Sequence, residues 1–192
     1  YLASVFVESG WSIKTIHREI MLSATWQLSS APDSRNAEID ADNRFLWRMN
    51  RRRLDVESWR DALLQVSGRL DRSMGGPSTN LADSSNTRRT VYAKVSRHQL
   101  DNLLRLFDFP DANITASKRS ETTVPQQRLF VLNSDFMVNQ AKSFAVRLQQ
   151  TEGTTADRIR LGILLAYGRP ATEREVELGQ LYLASKDDES DN

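Results

Sequence analysis

The chain has 192 residues, enough for one domain with a core and few for two. Its 26 basic and 25 acidic side chains leave a net charge of +1, so no global field draws it to nucleic acid or to an anionic membrane. It has no cysteine, which removes disulfides, thiolate zinc sites, cysteine nucleophiles and C-x-x-C-H haem attachment from this segment, and no apolar run approaches the length of a membrane span.

The chain opens "YLASVFVESGW", within an amphipathic helical pattern and with neither an initiator Met nor a signal peptide, so a fragment of a longer protein is expected. Ser12 is placed to cap a helix on which Ile13, Ile16, Ile20 and Ala24 share a face, with His17 inside that apolar arc as a half-buried packing residue. Asp55 is the natural cap of the next helix. Along it Val56, Trp59, Leu63, Val66 and Leu70 step by three and four, which predicts a buried Trp59. Residues 73–89, rich in Gly, Ser and Asn, read as a long flexible loop.

The loop leads into "TVYAKVS", a minor β element near residues 90–96, whose partner lies either in the preceding loop or outside this segment. Leu100, Leu103, Leu104 and Phe107 form another helical stripe. Pro110 forbids its simple continuation and Pro125 opens the next helix, leaving a link longer than an idle loop usually is. Asn133-Ser134-Asp135 breaks the following apolar pattern, with Ser134 capping what comes after. The last pair is separated by Gly168 and Pro170, with Thr172 and Glu175 spaced as a capping box. Residues 186–192 read as a frayed acidic tail. The expected fold is a single mainly α domain over residues 1–192 with that one minor β element.

Two constellations carry possible chemistry. Arg44, Arg48, Arg51, Arg52, Arg53 and Arg60 surround Trp47 and Trp59, a pattern able to hold phosphate, sulfate or a polymer strand, while Asp55, Glu57 and Asp61 stand ready to neutralise them. The excess of 21 arginines over 5 lysines fits internal ion-pair networks, and it fits the codon usage of a GC-rich genome more simply. The second constellation is the link after Phe107. Asp108, Asp111 and Asn113 offer oxygens without the spacing of an EF-hand, and Asp and Asn in turns normally bond their own backbone. Lys118, Arg119, Thr122, Thr123, Gln126 and Gln127 precede a helix that Pro125 pre-shapes, where either an anion or a simple cap would fit. If one site exists, its candidates are Arg51, Arg53, Asp108, Arg119, Thr123 and Gln126. No phosphate loop, dinucleotide fingerprint, metal-ligand set or Ser-His-Asp order is present, so catalytic residues stay unassigned and neither metal nor cofactor is expected.

The chain resembles the planctomycete secreted domain family. The likeness rests on "GWSIKTIHREIMLSATWQLSS", "NRFLWRMNRRRLDVESWRDALLQVSGRLDRSMGGP", "RRTVYAKVSR", "LFDFPDANITASKRSETTVPQQRLFVLNSDFMVNQA" and "LLAYGRPATEREV", and covers nearly the whole chain. Asp135 stands where the family often has proline. The resemblance implies the C-terminal part of a larger domain within an exported multidomain protein that also carries a cytochrome c-type domain. It transfers no catalytic residue. The expected function is a non-catalytic accessory or interaction domain whose partners are other domains of the same polypeptide. The alternative is an enzyme or ligand-binding domain acting on polysaccharide or another anionic substrate at the 108–127 loop and the arginine cluster. Nucleic acid is not an expected partner.

Overall fold

The computed structural model describes the backbone of residues 1–190 and side chains through residue 185. About half of the chain is helical and the fold is mainly α, as predicted. By packing it divides into two compact units, Tyr1–Arg53 and Leu54–Asn192.

The first unit holds α1 (Leu2–Glu8), α2 (Ile13–Leu22) and α3 (Ser34–Ile39), the last not foreseen from sequence. Ser12 caps α2 through the Thr15 amide, as expected. Ile16 and Ile20 are half-buried on α2, but Ile13 is 62% exposed. His17 is exposed, not half-buried: the inward arc is narrower than the sequence pattern suggests. The two buried residues of this unit are both polar, Asp40 and Asn43. Asp40 accepts from the amides of Arg44 and Phe45, bonds that hold its carboxyl below the usual range, and its carbonyl accepts from the Trp47 indole. Asn43, at φ 55°, donates to the Arg48 carbonyl and to Asn50 Oδ1. Residues 40–50 are thus shaped by side chains that replace missing backbone ladders.

The second unit is built from α4 (Val56–Val66), α5 (Asn102–Leu106), α6 (Pro125–Asn133), α7 (Asp135–Gln149), α8 (Thr155–Tyr167) and α9 (Glu173–Ser190). Its expected boundaries hold. Asp55 caps α4 through the Ser58 amide, Ser134 separates α6 from α7 and caps the latter, and Gly168 ends α8 at φ 68°. Successive helices from α6 to α9 pack on one another, and α4 packs on α7. Gly179 lets α9 approach α8 closely, since a Cβ there would sit 3.0 Å from Ile159 Cδ1. The acidic tail read over 186–192 is helical backbone to Ser190; its side chains, and residues 191–192 altogether, lie outside the described residues.

The core gathers Val56, Leu103 and Leu104, with Trp59, Leu100, Phe107 and Phe130 partly buried against them. Trp59 is half-buried, not fully buried. It stacks on Phe107 at 4.8 Å and tilts against Phe130, so one of its faces is covered. The buried face of α4 runs Val56, Arg60, Leu64, Ser67, one step round from the predicted Leu63 and Val66.

Arg60, only 1% exposed, donates to the carbonyls of Asn86 and Arg88 and to Thr90 Oγ1, and lies over the Phe136 ring. Burial lowers its pKa, while the charges of Asp61 and Asp101 act in the other direction. Asp61, its neighbour on α4, accepts from both the amide and the hydroxyl of Thr90 at 2.7 Å.

This clasp turns the chain at the predicted β element. Thr90–Tyr92 is a short 3-10 turn, and the extended pairing is reduced to two isolated parallel bridges, Asp71 with Arg88 and Thr79 with Ala93. The partner of the extended segment therefore comes from the preceding loop. That loop wraps around Arg88, whose guanidinium donates to the carbonyls of Ser73, Gly75 and Pro77 and stacks over Tyr92. Gly76, at φ 85°, approaches so near that a Cβ would lie 3.3 Å from Arg88 Nη1.

Two outcomes follow. Arg60→Met keeps an apolar stem but strands three acceptors, each worth about 1 kcal/mol, so urea unfolding is expected to show a loss of about 3 kcal/mol. The same change at exposed Arg52 should leave the midpoint unmoved. At the start of α9, a bidentate pair with Arg169 and bonds from Thr172 pull the Glu175 carboxyl from 4.5 to about 2. A depressed carboxyl stabilises above its unfolded pKa and loses that contribution as pH falls through the folded one. The melting-temperature gap between wild type and Glu175→Gln should be full above pH 4.5 and close as pH falls to about 2.

Candidate functional site

The link between α5 and α6 begins where Phe107 leaves the helix and Asp108 takes φ 62°, a left-handed conformation that Asp tolerates better than most residues. The reversal lets the Phe109 amide return to the Leu104 carbonyl. Asp108 then accepts from the amide and the hydroxyl of Thr122, at 2.8 and 2.7 Å. Two points fourteen residues apart are thereby tied together. Inside the loop Asp111 accepts from the amide and side chain of Asn113, which also donates to the Arg97 carbonyl.

At the far end Pro125 starts α6, with Val124 at the cap position. Valine has no polar side chain, so the capping is one-sided: Gln127 Oε1 accepts from the Val124 amide. Gln127 is buried and its amide group donates to the Leu106 carbonyl at 2.9 Å, joining α6 to the end of α5.

Arg119 forms a forked pair with Glu57 of α4, at 2.6 and 2.8 Å, with Asp55 at 3.9 Å and the Phe109 ring beneath it. The bonds to Glu57 raise its pKa above the ordinary guanidinium value. The counter-charge of Arg119 is therefore a helix N-terminal glutamate and not Asp108.

The six predicted site residues are placed as follows. Asp108 and Arg119 are half-buried in the same loop but hold different partners. Gln126 is exposed on α6, and Thr123 is exposed beside a shallow depression of about 440 Å3 with Val124, Pro125, Arg128 and Leu129. Arg51 and Arg53 are exposed in the first unit. Asp108 is bonded to Thr122 while Asp111 and Asn113 are bonded to each other, and among the described residues no group of three or more His, Cys, Asp or Glu could hold a metal ion.

The contacts of three residues that matter here are not legible in the sequence. Glu57 was grouped with the arginine cluster, though as an acid in the first turn of α4 it was free to meet a distant cation. Gln127 sits three residues after the cap, the spacing of a half capping box. Arg60 shares the register of Val56 and Leu64, which was the available signal for its burial.

The pair at Glu57 yields a direct expectation. Arg119→Ala should lower stability by about 1 kcal/mol, the size suited to a pair that water still reaches. Arg119→Lys should recover only part of this, because an ammonium lacks the fork that meets both carboxylate oxygens. Thermal unfolding of the two variants checks both points.

No curated protein and no solved structure matches the chain. A family model matches residues 1–183, nearly its whole length. The chain belongs to the family described as PSD1, a protein of unknown function (DUF1553).

Proposed function

We propose that this chain is a non-catalytic accessory or interaction domain of a larger exported protein that also carries a cytochrome c-type domain. Export and the cytochrome link rest on the family resemblance drawn from the sequence. The observation that carries the non-catalytic reading is the engagement of the 108–127 polar groups with the protein itself. Arg119 is held by Glu57, Asp108 by Thr122, and Gln127 by Leu106. An enzyme acting on polysaccharide or another anionic substrate at this loop would need such groups turned toward a cleft. Exposed apolar side chains of α9, Leu178, Leu181 and Tyr182, fit a domain that meets others. No helix among the described residues is long and apolar enough to cross a membrane.

Purified alone, the chain is expected to release no sugar from polysaccharide substrates and to bind separately produced companion and cytochrome domains of the same polypeptide. Sugar release that Asp108→Asn or Arg119→Lys abolishes, with the melting temperature of the variant retained, would overturn this reading.

A further inference from the structure

Residues 44–53 read "RFLWRMNRRR", five arginines in ten positions with no acidic residue among them. The overall charge of +1 hides this local imbalance. Even with Asp40 and Asp42 just before it, the 40–53 stretch carries +3. The ion pairs described in the chain engage Arg89, Arg119, Arg160, Arg169 and Arg174, and none of them reaches Arg44, Arg51 or Arg52. Arg44 lies in the field of Asp40, whose carboxylate oxygens already accept from two amides.

The segment is a fastened loop. Asn43 closes its base by donating to Asn50 Oδ1 at 3.0 Å and to the Arg48 carbonyl at 2.8 Å. Arg44 and Arg51 each follow one of these closing residues, so the closure brings both to the same end of the loop. Asp40 holds the amides of Arg44 and Phe45, the Trp47 indole returns to the Asp40 carbonyl, and the Met49 amide bonds the Ser29 carbonyl. Between these anchors Phe45 is 84% exposed and Leu46 51%. Leu46 also holds φ 55°, a left-handed conformation that leucine adopts only where its surroundings impose it. The bonds that shape the loop therefore keep two large apolar side chains in water, at a fixed place beside cations.

That order matches an anionic bilayer surface, where hydrocarbon lies beneath a layer of phosphates. A fluid acyl layer receives a projecting apolar pair without a preformed pocket, and guanidinium forks suit phosphate oxygens. A nucleic-acid strand would also meet the arginines, but it offers stacking to Phe45 alone and leaves Leu46 in water. We propose that the loop of residues 44–52 docks on an anionic phospholipid surface, with Phe45 and Leu46 entering the boundary between headgroups and acyl chains and Arg44, Arg51 and Arg52 meeting lipid phosphates. The chain would lie on such a surface without crossing it. This surface belongs to the first unit and is independent of the role proposed for the 108–127 loop.

The test is co-sedimentation of the intact chain with vesicles at fixed ionic strength. Vesicles of equal parts phosphatidylcholine and phosphatidylglycerol should bind it, and pure phosphatidylcholine should not. Arg51→Gln and Arg52→Gln should each weaken binding about fivefold. Leu46→Gly accepts the left-handed backbone without strain, so it should keep the melting temperature and weaken binding about tenfold. Because the chain has no cysteine, Phe45→Cys admits a single polarity-sensitive dye. Its emission should shift to the blue on anionic vesicles, while the same dye after Ser117→Cys, on the exposed part of the 108–127 loop, should not respond. No binding to anionic vesicles, equal binding to neutral ones, or an unshifted dye at position 45 on bound protein would each overturn the proposal. So would tighter binding to a single-stranded oligonucleotide than to anionic vesicles.

Discussion

The second unit depends on a guanidinium with almost no access to water. Arg60 sits between Val56 and Leu64 on the buried face of α4, where an apolar side chain would ordinarily stand. Removing a cation from water costs several kcal/mol unless its donors are met. Here they are met by two carbonyls and a hydroxyl of the 86–90 segment, with the Phe136 ring against the cation's face. The consequence is geometric. A stretch outside the α-helices is fixed to α4 because any departure would leave Arg60 unpaired. Asp61 reinforces this from the next position by holding Thr90.

The same device recurs. Arg88 gathers three carbonyls of the glycine-rich loop, and Arg147 of α7 donates to the Gln65 and Val66 carbonyls at the C-terminal end of α4. An arginine offers five donors in a rigid plane, so one side chain can serve several carbonyls at once; a lysine ammonium has three on a flexible stem. In a fold with little sheet and long connections, that replaces ladder bonds. Whatever codon usage contributes to the arginine excess, arginine has a structural use at each of these positions.

What was legible in the sequence was local. Caps at Ser12, Asp55, Ser134 and Thr172, the stop at Gly168 and the start at Pro125 are written in neighbouring residues, and the backbone follows them. The mainly α class follows from the apolar spacing. What failed was anything that depended on a partner far along the chain. Arg60 reads from sequence as one of the arginines around Trp47 and Trp59, because its actual partners lie 26 to 30 residues away. Trp59 was expected inside because its register is apolar, yet only one face meets Phe107 and Phe130. The alternation at residues 90–96 looked like a strand, but Asp61 and Arg60 draw Thr90 inward and leave one bridge at Ala93. Of the candidate site, the sequence pattern drew attention to the 108–127 loop and to Arg119; it could not show that Glu57, 62 residues earlier, takes that arginine.

The long loop after Phe107 shows how chemistry-bearing residues can be absorbed by architecture. Closing a flexible loop costs entropy that grows only slowly with length, so its ends matter more than its span. Asp108 with Thr122 closes the base, Gln127 with Leu106 joins the flanking helices, and Arg119 with Glu57 anchors the descending arm to α4. Between these ties the tip bonds itself at Asp111 and, through Asn113, the Arg97 carbonyl, while Ile114 stays 68% exposed. Each tie uses a residue type that elsewhere would suggest catalysis or binding, and each is satisfied inside the protein. Polar residue types alone therefore do not distinguish a reaction centre from a fastened connection. The distinguishing quantity is the balance of donors and acceptors left over once the protein's own bonds are formed. That balance is largely closed at Asp108 and Arg119.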